Sequence, residues 1–367
     1  MNYTGHLSRN EIMPIAALPD WEMRIARQDA CWERAIIDRP VVAMTVPNEP
    51  PQYAIREPRD YPSLRDRWLD TERVVNEAVA AVRNTHYFGD ALPFAWPNLG
   101  PEVFSAFFGC EMEFGESTTW AVPCLHDWAD AEQFRFSREN VYWRKLEEMT
   151  DALLEAGKGL FYAGLSDIHP GGDAIAAFRD PQQLNMDLLE YPDAVRDLLA
   201  YVNRVYFEVL EFYFAKLESH RQAITTWPGI VSSKRWMVPS NDFSCMISKA
   251  MFDEFFLPGI REECRRLEAS VYHLDGPDAL RHLDSILEIP ELNMLQWVYG
   301  AGNGRASDWI PVYQRCQGAG KGVQLFLEPD ELPVIMEHLR PEGVWMSVTV
   351  PDCEAAEQVL KTVTKWR

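Results

Sequence analysis

Eight short apolar runs alternate with longer stretches of helical periodicity along this chain. The runs cover 41–46, 92–96, 160–165, 223–227, 270–275, 294–298, 323–327 and 344–348, and they are rich in Val, Ile, Leu, Phe and Trp. They lack the clean polar alternation of a strand wet on one face. Strands of a parallel sheet are covered on both faces, so they read as unbroken apolar runs. Apolar spacing predicts helices over 71–86, 138–156, 181–219, 248–267, 277–288, 306–318, 331–339 and 352–365, and an amphipathic helix over 20–39 precedes the first run. Alternation with about eight strands predicts an α/β fold, a (β/α)8 TIM barrel in preference to a doubly wound sheet. The expected organisation is one domain over 1–367, with 1–39 as an N-terminal helical extension and 40–367 as the barrel. The stretches 97–136 and 228–242 read as elaborated loops over the barrel mouth.

Composition narrows the partners. The formal net charge of −21 repels phosphates, and no basic stripe offsets it, so nucleic acid is not an expected ligand. The apolar runs are short and interrupted by charge, so no membrane span is expected. The first fourteen residues are polar and carry no apolar signal region. Seven cysteines, at 31, 110, 124, 245, 264, 316 and 353, show no paired spacing. Free thiols in a reduced, cytoplasmic setting are the expectation.

A barrel places its chemistry at the C-terminal strand ends. The sharpest feature there is Tyr272-His273-Leu274-Asp275-Gly276. Residues two apart on a strand share a side, so His273 and Asp275 project together before a Gly-Pro break. Such a pair suits a metal ion or general acid–base work; a structural hydrogen bond closing the strand is the alternative, and position at a strand end favours function. Asp242, in Asn241-Asp242-Phe243-Ser244, is a third catalytic candidate and also a plausible helix cap. Glu328, at the end of a later strand, is a candidate metal ligand with His273 and Asp275, or an ordinary loop glutamate. Asn98, His169, Trp227, Gln296 and Trp297 stand at other strand ends as candidate substrate contacts, although packing explains the tryptophans as well. His282-Leu283-Asp284 repeats the 273–275 triplet inside a helical pattern and is expected at the surface. Gly300-Ala301-Gly302-Asn303-Gly304 lacks the third glycine of a dinucleotide loop. Gly318-Ala319-Gly320-Lys321-Gly322 lacks the Ser or Thr of a phosphate loop.

The order of these strand ends, with Ser240-Asn241-Asp242-Phe243-Ser244 running into 247–258, Tyr272 to Gly276, and Gly318 to Lys321, resembles the uroporphyrinogen decarboxylase superfamily. That superfamily includes zinc-dependent, corrinoid-linked methyltransferases that charge coenzyme M. The resemblance runs from about Val41 to the C-terminus and implies a (β/α)8 barrel. Porphyrinogen decarboxylases carry an arginine pair after the first strand, whereas this chain has Val46-Pro47-Asn48-Glu49-Pro50-Pro51-Gln52 there. The methyltransferase branch is the better match. Its H-x-C zinc motif corresponds to His273 and Asp275, with Glu328 near the position of a later cysteine. The resemblance therefore implies a metal-dependent methyltransferase acting on a small molecule, with zinc as cofactor and a corrinoid carried by a partner protein. A homodimer is compatible with it. The alternatives are a tetrapyrrole decarboxylase and a non-catalytic small-molecule-binding barrel.

Overall fold

The C-terminal half of the chain builds a parallel ladder from the runs read as strands. In the computed structural model, which describes residues 7–54, 59–132 and 134–366, the strands in chain order are β1 (Val41–Pro47), β2 (Thr85–Gly89), β3 (Phe94–Ala95), β4 (Met112–Phe114), β5 (Thr119–Ala121), β6 (Tyr162–Ala163), β7 (Ile224–Thr225), β8 (Val231–Ser232), β9 (Trp236–Met237), β10 (Ala269–Asp275), β11 (Met294–Val298), β12 (Gly322–Leu327) and β13 (Val344–Val348). The main sheet has seven strands in the order β2-β1-β13-β12-β11-β10-β9. All its neighbours are parallel except β2, which runs antiparallel to β1. The result is a mixed α/β fold around a mostly parallel central sheet.

The ladders do not join into one closed ring among the described residues. The runs over 92–96, 160–165 and 223–227 each supply only two paired residues: β3 pairs with β6, and β7 with β8. Pro93 and Pro97 flank β3 and have no N–H to give a ladder. Two backbone bonds extend the β3–β6 contact, Tyr162 N to Pro93 O at 3.0 Å and Gly164 N to Ala95 O at 2.8 Å, and Leu165 N donates to Thr225 O at 2.8 Å. Gly164 permits this approach, because a Cβ there would stand 2.8 Å from the Thr225 carbonyl oxygen. On the other side β2, which the apolar pattern did not predict, occupies the edge of β1.

Other expectations shift in detail. The 228–242 loop carries β8, β9 and a parallel bridge from Ser240 to His273, and the 97–136 loop holds the β4–β5 hairpin. The helix expected over 248–267 is interrupted by a π-turn at Phe252–Phe256, just before Pro258, whose missing N–H cannot bond back. A helix at Gly171–Arg179 was not anticipated. His282 is fully buried rather than at the surface, stacked on Phe252 with ring centroids 4.3 Å apart and bonded to Ser244 O.

Register defines the interior. His273 is aligned with Gln296, Gln296 with Gln324, Gln324 with Trp345, and Trp345 with Val41. Aligned residues of a parallel sheet point the same way, so these five form one level of side chains. Asp275 lies beside Val298 one level nearer the C-terminal ends, while Phe326, Ser347 and Ala43 are aligned on the matching level of the other strands. The opposite face packs on helices, as Trp297 does against Trp309 at 5.1 Å.

The first helix, α1 (Trp21–Trp32), closes the N-terminal ends of the strands. Gln28 donates to Asp90 O and accepts from Val231 N and the Trp345 indole, and Trp32 donates to Ser232 Oγ. Beside it, Asp90 is 0% exposed and accepts from both Arg39 terminal nitrogens at 2.5 and 3.0 Å, from Arg27 at 3.2 Å and from Val42 N at 3.0 Å. Among the described residues no helix is long and apolar enough to cross a membrane. Removing Asp90 leaves buried guanidinium charge without its counter-ion. Asp90→Ala is therefore expected to cost about 3–5 kcal/mol in urea unfolding. Glu116→Ala, which breaks only an exposed pair with Arg67, should cost about 0–1 kcal/mol.

Candidate functional site

The end of β10 delivers two side chains, and the loop before it delivers a third. Gly276, at φ 81°, ends the strand directly after Asp275. His273 N donates to Pro239 O at 3.0 Å, which draws the 239–246 segment alongside β10. Asp173, in the first turn of the Gly171–Arg179 helix, fastens the same segment from behind. Its carboxylate accepts from Ser240 Oγ at 3.0 Å and from Phe243 N at 2.9 Å. Gly172 lets the helix approach, because a Cβ there would meet Asn241 Oδ1 at 2.4 Å. Asp242 is thereby carried over the strand end, with Oδ1 3.8 Å from His273 Nε2.

Among the described residues, Asp242, His273 and Asp275 form the one group of three metal-capable side chains, with one ligand atom of each within 4.8 Å of the others. Zinc bonds of about 2.0–2.2 Å to N and O place tetrahedral ligand atoms roughly 3.3 Å apart. The Asp242–His273 separation of 3.8 Å is slightly wider than that. One imidazole and two carboxylates are a donor set that zinc accepts. Glu328, expected as a ligand, is exposed and outside this group. It begins the short 3-10 turn at Pro329–Glu331, where its backbone N–H is taken by Glu331. Asp242 holds the third place instead.

The surroundings are acidic, with one cation built in. His169 Nε2 lies 2.6 Å from Asp167 Oδ1, and its Nδ1 lies 2.7 Å from Ser240 Oγ. The Ser240 hydroxyl proton is given to Asp173, so His169 Nδ1 must be the donor in that contact. Both ring nitrogens then carry protons. Burial opposes the imidazolium, but Asp167, and after it Asp173 and Asp242, outweigh burial and raise its pKa to about 10. Asp242 is pushed up to about 6 by desolvation in the recess, then by the like charge of Asp173, with Asp275 adding and the two histidines opposing. Its side chain is 57% exposed.

The remaining candidates separate by position. Trp227 packs edge-to-face on His273, with centroids 5.3 Å apart and planes at 87°, and it also lines a cavity of about 480 Å3. That cavity lies among Ala43, Thr45, Phe94, Phe326 and Ser347. Gln296 is 0% exposed and bonds His273 from below, so it supports the histidine and does not face the cavity. Trp297, 2% exposed, points to the helix layer instead of the mouth. Asn98 is exposed, with its side-chain oxygen occupied by Gly100 N at 2.8 Å in its own turn. Sequence reasoning passed over Asp173 and Gln324. A glutamine in the middle of each of two adjacent apolar strands, MLQWV and GVQLFL, was the signal for Gln324.

No protein-family model and no curated protein matches the sequence. The fold is similar to that of a solved methyltransferase from Methanosarcina mazei, with a TM-score of 0.60 over 93% of this chain and 98% of that one, at 10% sequence identity. At that identity the likeness is one of fold.

Two outcomes follow from this geometry. By titration calorimetry, His273→Ala, Asp242→Ala and Asp275→Ala should each weaken zinc binding by about tenfold or more, whereas Glu328→Ala should leave it unchanged. Behind Asp173, Glu263 is 2% exposed. Burial pushes its carboxyl up to about 8, with Asp173 adding and His169 and Tyr206 opposing. The folded value lies above the unfolded one, so this group's stabilisation is present below about 4.5 and is lost as pH rises towards about 8. Urea unfolding across that range should show a decline of up to about 1.4 kcal/mol per pH unit from this group, and Glu263→Gln should remove it.

Proposed function

We propose that this protein is a metal-dependent enzyme of methyltransferase type, built on a (β/α)8-barrel plan, that acts on a small uncharged molecule at the barrel mouth. The observation that carries this reading is adjacency. The Asp242–His273–Asp275 group and the cavity of about 480 Å3 share Trp227, and none of the described residues lining that cavity is charged. His273 Nε2 and the two carboxylates would hold zinc. Bound there, the ion would supply Lewis acidity that favours the anionic form of a substrate thiol or hydroxyl. Trp227 packs on the imidazole and lines the cavity, so the metal group and the cavity adjoin through it. Phe94, Leu92 and Phe326 keep the space apolar, so a group made nucleophilic there is poorly screened by water. The fold likeness to a methyltransferase supports methyl transfer as the reaction, with the methyl group arriving from a methylated corrinoid protein or a small methyl donor. The uncharged lining argues against a tetrapyrrole polycarboxylate, whose carboxylates would find no guanidinium among the described lining residues. An all-N/O donor set leaves more charge on the ion than thiolates would, which favours hydrolytic chemistry as the second reading.

Zinc-loaded protein, given methylcobalamin and small thiols, should demethylate the cobalamin, followed by its visible spectrum, and His273→Ala should not. Ala43→Phe, which fills the cavity away from the metal group, should lower kcat/KM by about tenfold or more while zinc affinity is kept. Failure to bind zinc, together with no methyl transfer to any thiol, would sink the proposal.

A further inference from the structure

We infer that Gln296 and Gln324 are positioning residues that lock His273 into the tautomer with its proton on Nδ1 and a bare Nε2 facing Asp242. The inference deepens the reading of His273 as a metal ligand, yet its main observable exists without metal. A chain of three hydrogen bonds runs inward from the imidazole. His273 Nδ1 lies 2.5 Å from Gln296 Oε1, Gln296 Nε2 lies 2.9 Å from Gln324 Oε1, and Gln324 Nε2 lies 3.1 Å from the carbonyl oxygen of Pro228.

The direction of this chain is set at its far end. A backbone carbonyl only accepts, so Gln324 must present its NH2 to Pro228 and its oxygen to Gln296. Gln296 must then donate with its own NH2 and turn its oxygen to His273. Only an N–H can meet that oxygen, so Nδ1 carries the proton. In the neutral ring Nε2 is left with its lone pair. The other tautomer would set two lone pairs face to face, or require both amides to flip and oppose Gln324 Oε1 to Pro228 O. No water can repair either arrangement easily, because Gln296 is 0% and Gln324 1% exposed. Turning the ring over would replace Nδ1 by a carbon and strand the Gln296 oxygen, and the edge-to-face contact with Trp227 resists that motion. At 3.8 Å, Nε2 and Asp242 Oδ1 are too far apart for a hydrogen bond. The lone pair is therefore directed into the space between the three ligand groups. The register that aligns 273, 296 and 324 on one level makes the chain possible.

The test uses metal-free protein labelled with nitrogen-15 at histidine. Long-range nitrogen–proton spectra in mildly alkaline buffer report which nitrogen of His273 is bare. The wild type should show Nδ1–H and a bare Nε2. Gln324→Met, which never touches the histidine, should give a mixture of tautomers and a loss of zinc affinity of about tenfold. Gln296→Met should do the same more strongly. A wild-type ring with Nε2–H, or an unchanged tautomer in Gln324→Met, overturns the inference. If Gln296→Met fails to fold, the wild-type and Gln324→Met spectra decide alone. A protein that shows the Nδ1–H tautomer but binds no zinc upholds the inference and defeats the metal reading, so the two failures are distinct.

Discussion

The parallel register that sets Gln296 between His273 and Gln324 is the constraint on which the site depends. In a parallel sheet, aligned residues share a face, and a slip of one residue would send every side chain to the other side. Such a slip here would bury Leu274, Leu295 and Leu325 inside and turn the polar chain into the helix layer. The apolar outer face of these strands, packed on helices through contacts such as Trp297 with Trp309, therefore holds the catalytic candidate in place as firmly as any bond to it.

A second requirement is that so acidic a mouth be held together. Asp167, Asp173, Asp242 and Asp275 gather near one strand end in a chain of net charge −21. Their mutual repulsion is offset by the imidazolium of His169 and by hydrogen bonds from Ser240 Oγ and Phe243 N. His169 thus serves as an internal counter-ion behind the candidate ligands. The local charge left over attracts a cation and repels an anionic substrate, which agrees with the uncharged lining of the adjoining cavity.

At the opposite end of the strands, α1 and Asp90 do for the base what His169 does for the mouth. Gln28 satisfies backbone and indole groups of three separate segments, and Asp90 pairs with Arg39 and Arg27, the latter held also by Asp38, while anchoring the start of β1. At the base the Gln28 amide and the Asp90 carboxylate are paired, and at the C-terminal ends Asp242, His273 and Asp275 turn ligand atoms towards one another. That asymmetry is why the chemistry is proposed at the C-terminal ends.

The sequence by itself determined the alternating α/β order, because burial on both faces makes parallel strands legible as apolar runs, and it determined that His273 and Asp275 share one side of β10, because side chains alternate along a strand. Tertiary structure decided the rest. Whether Asp242 or Glu328 joined the pair depended on which loop folded back over β10, and that is set by long-range bonds from Pro239 and Asp173. Gln296 changed from a candidate substrate contact to a buried support, and Trp297 from a candidate substrate contact to the helix layer, because facing depends on register. The short strands β3, β6 and β7 and the antiparallel β2 followed from prolines and backbone pairing across long separations, which hydrophobic periodicity does not encode. His282 repeated the His-x-Asp spelling of the site but became core, since a spacing that shares a face on a strand does not do so on a helix.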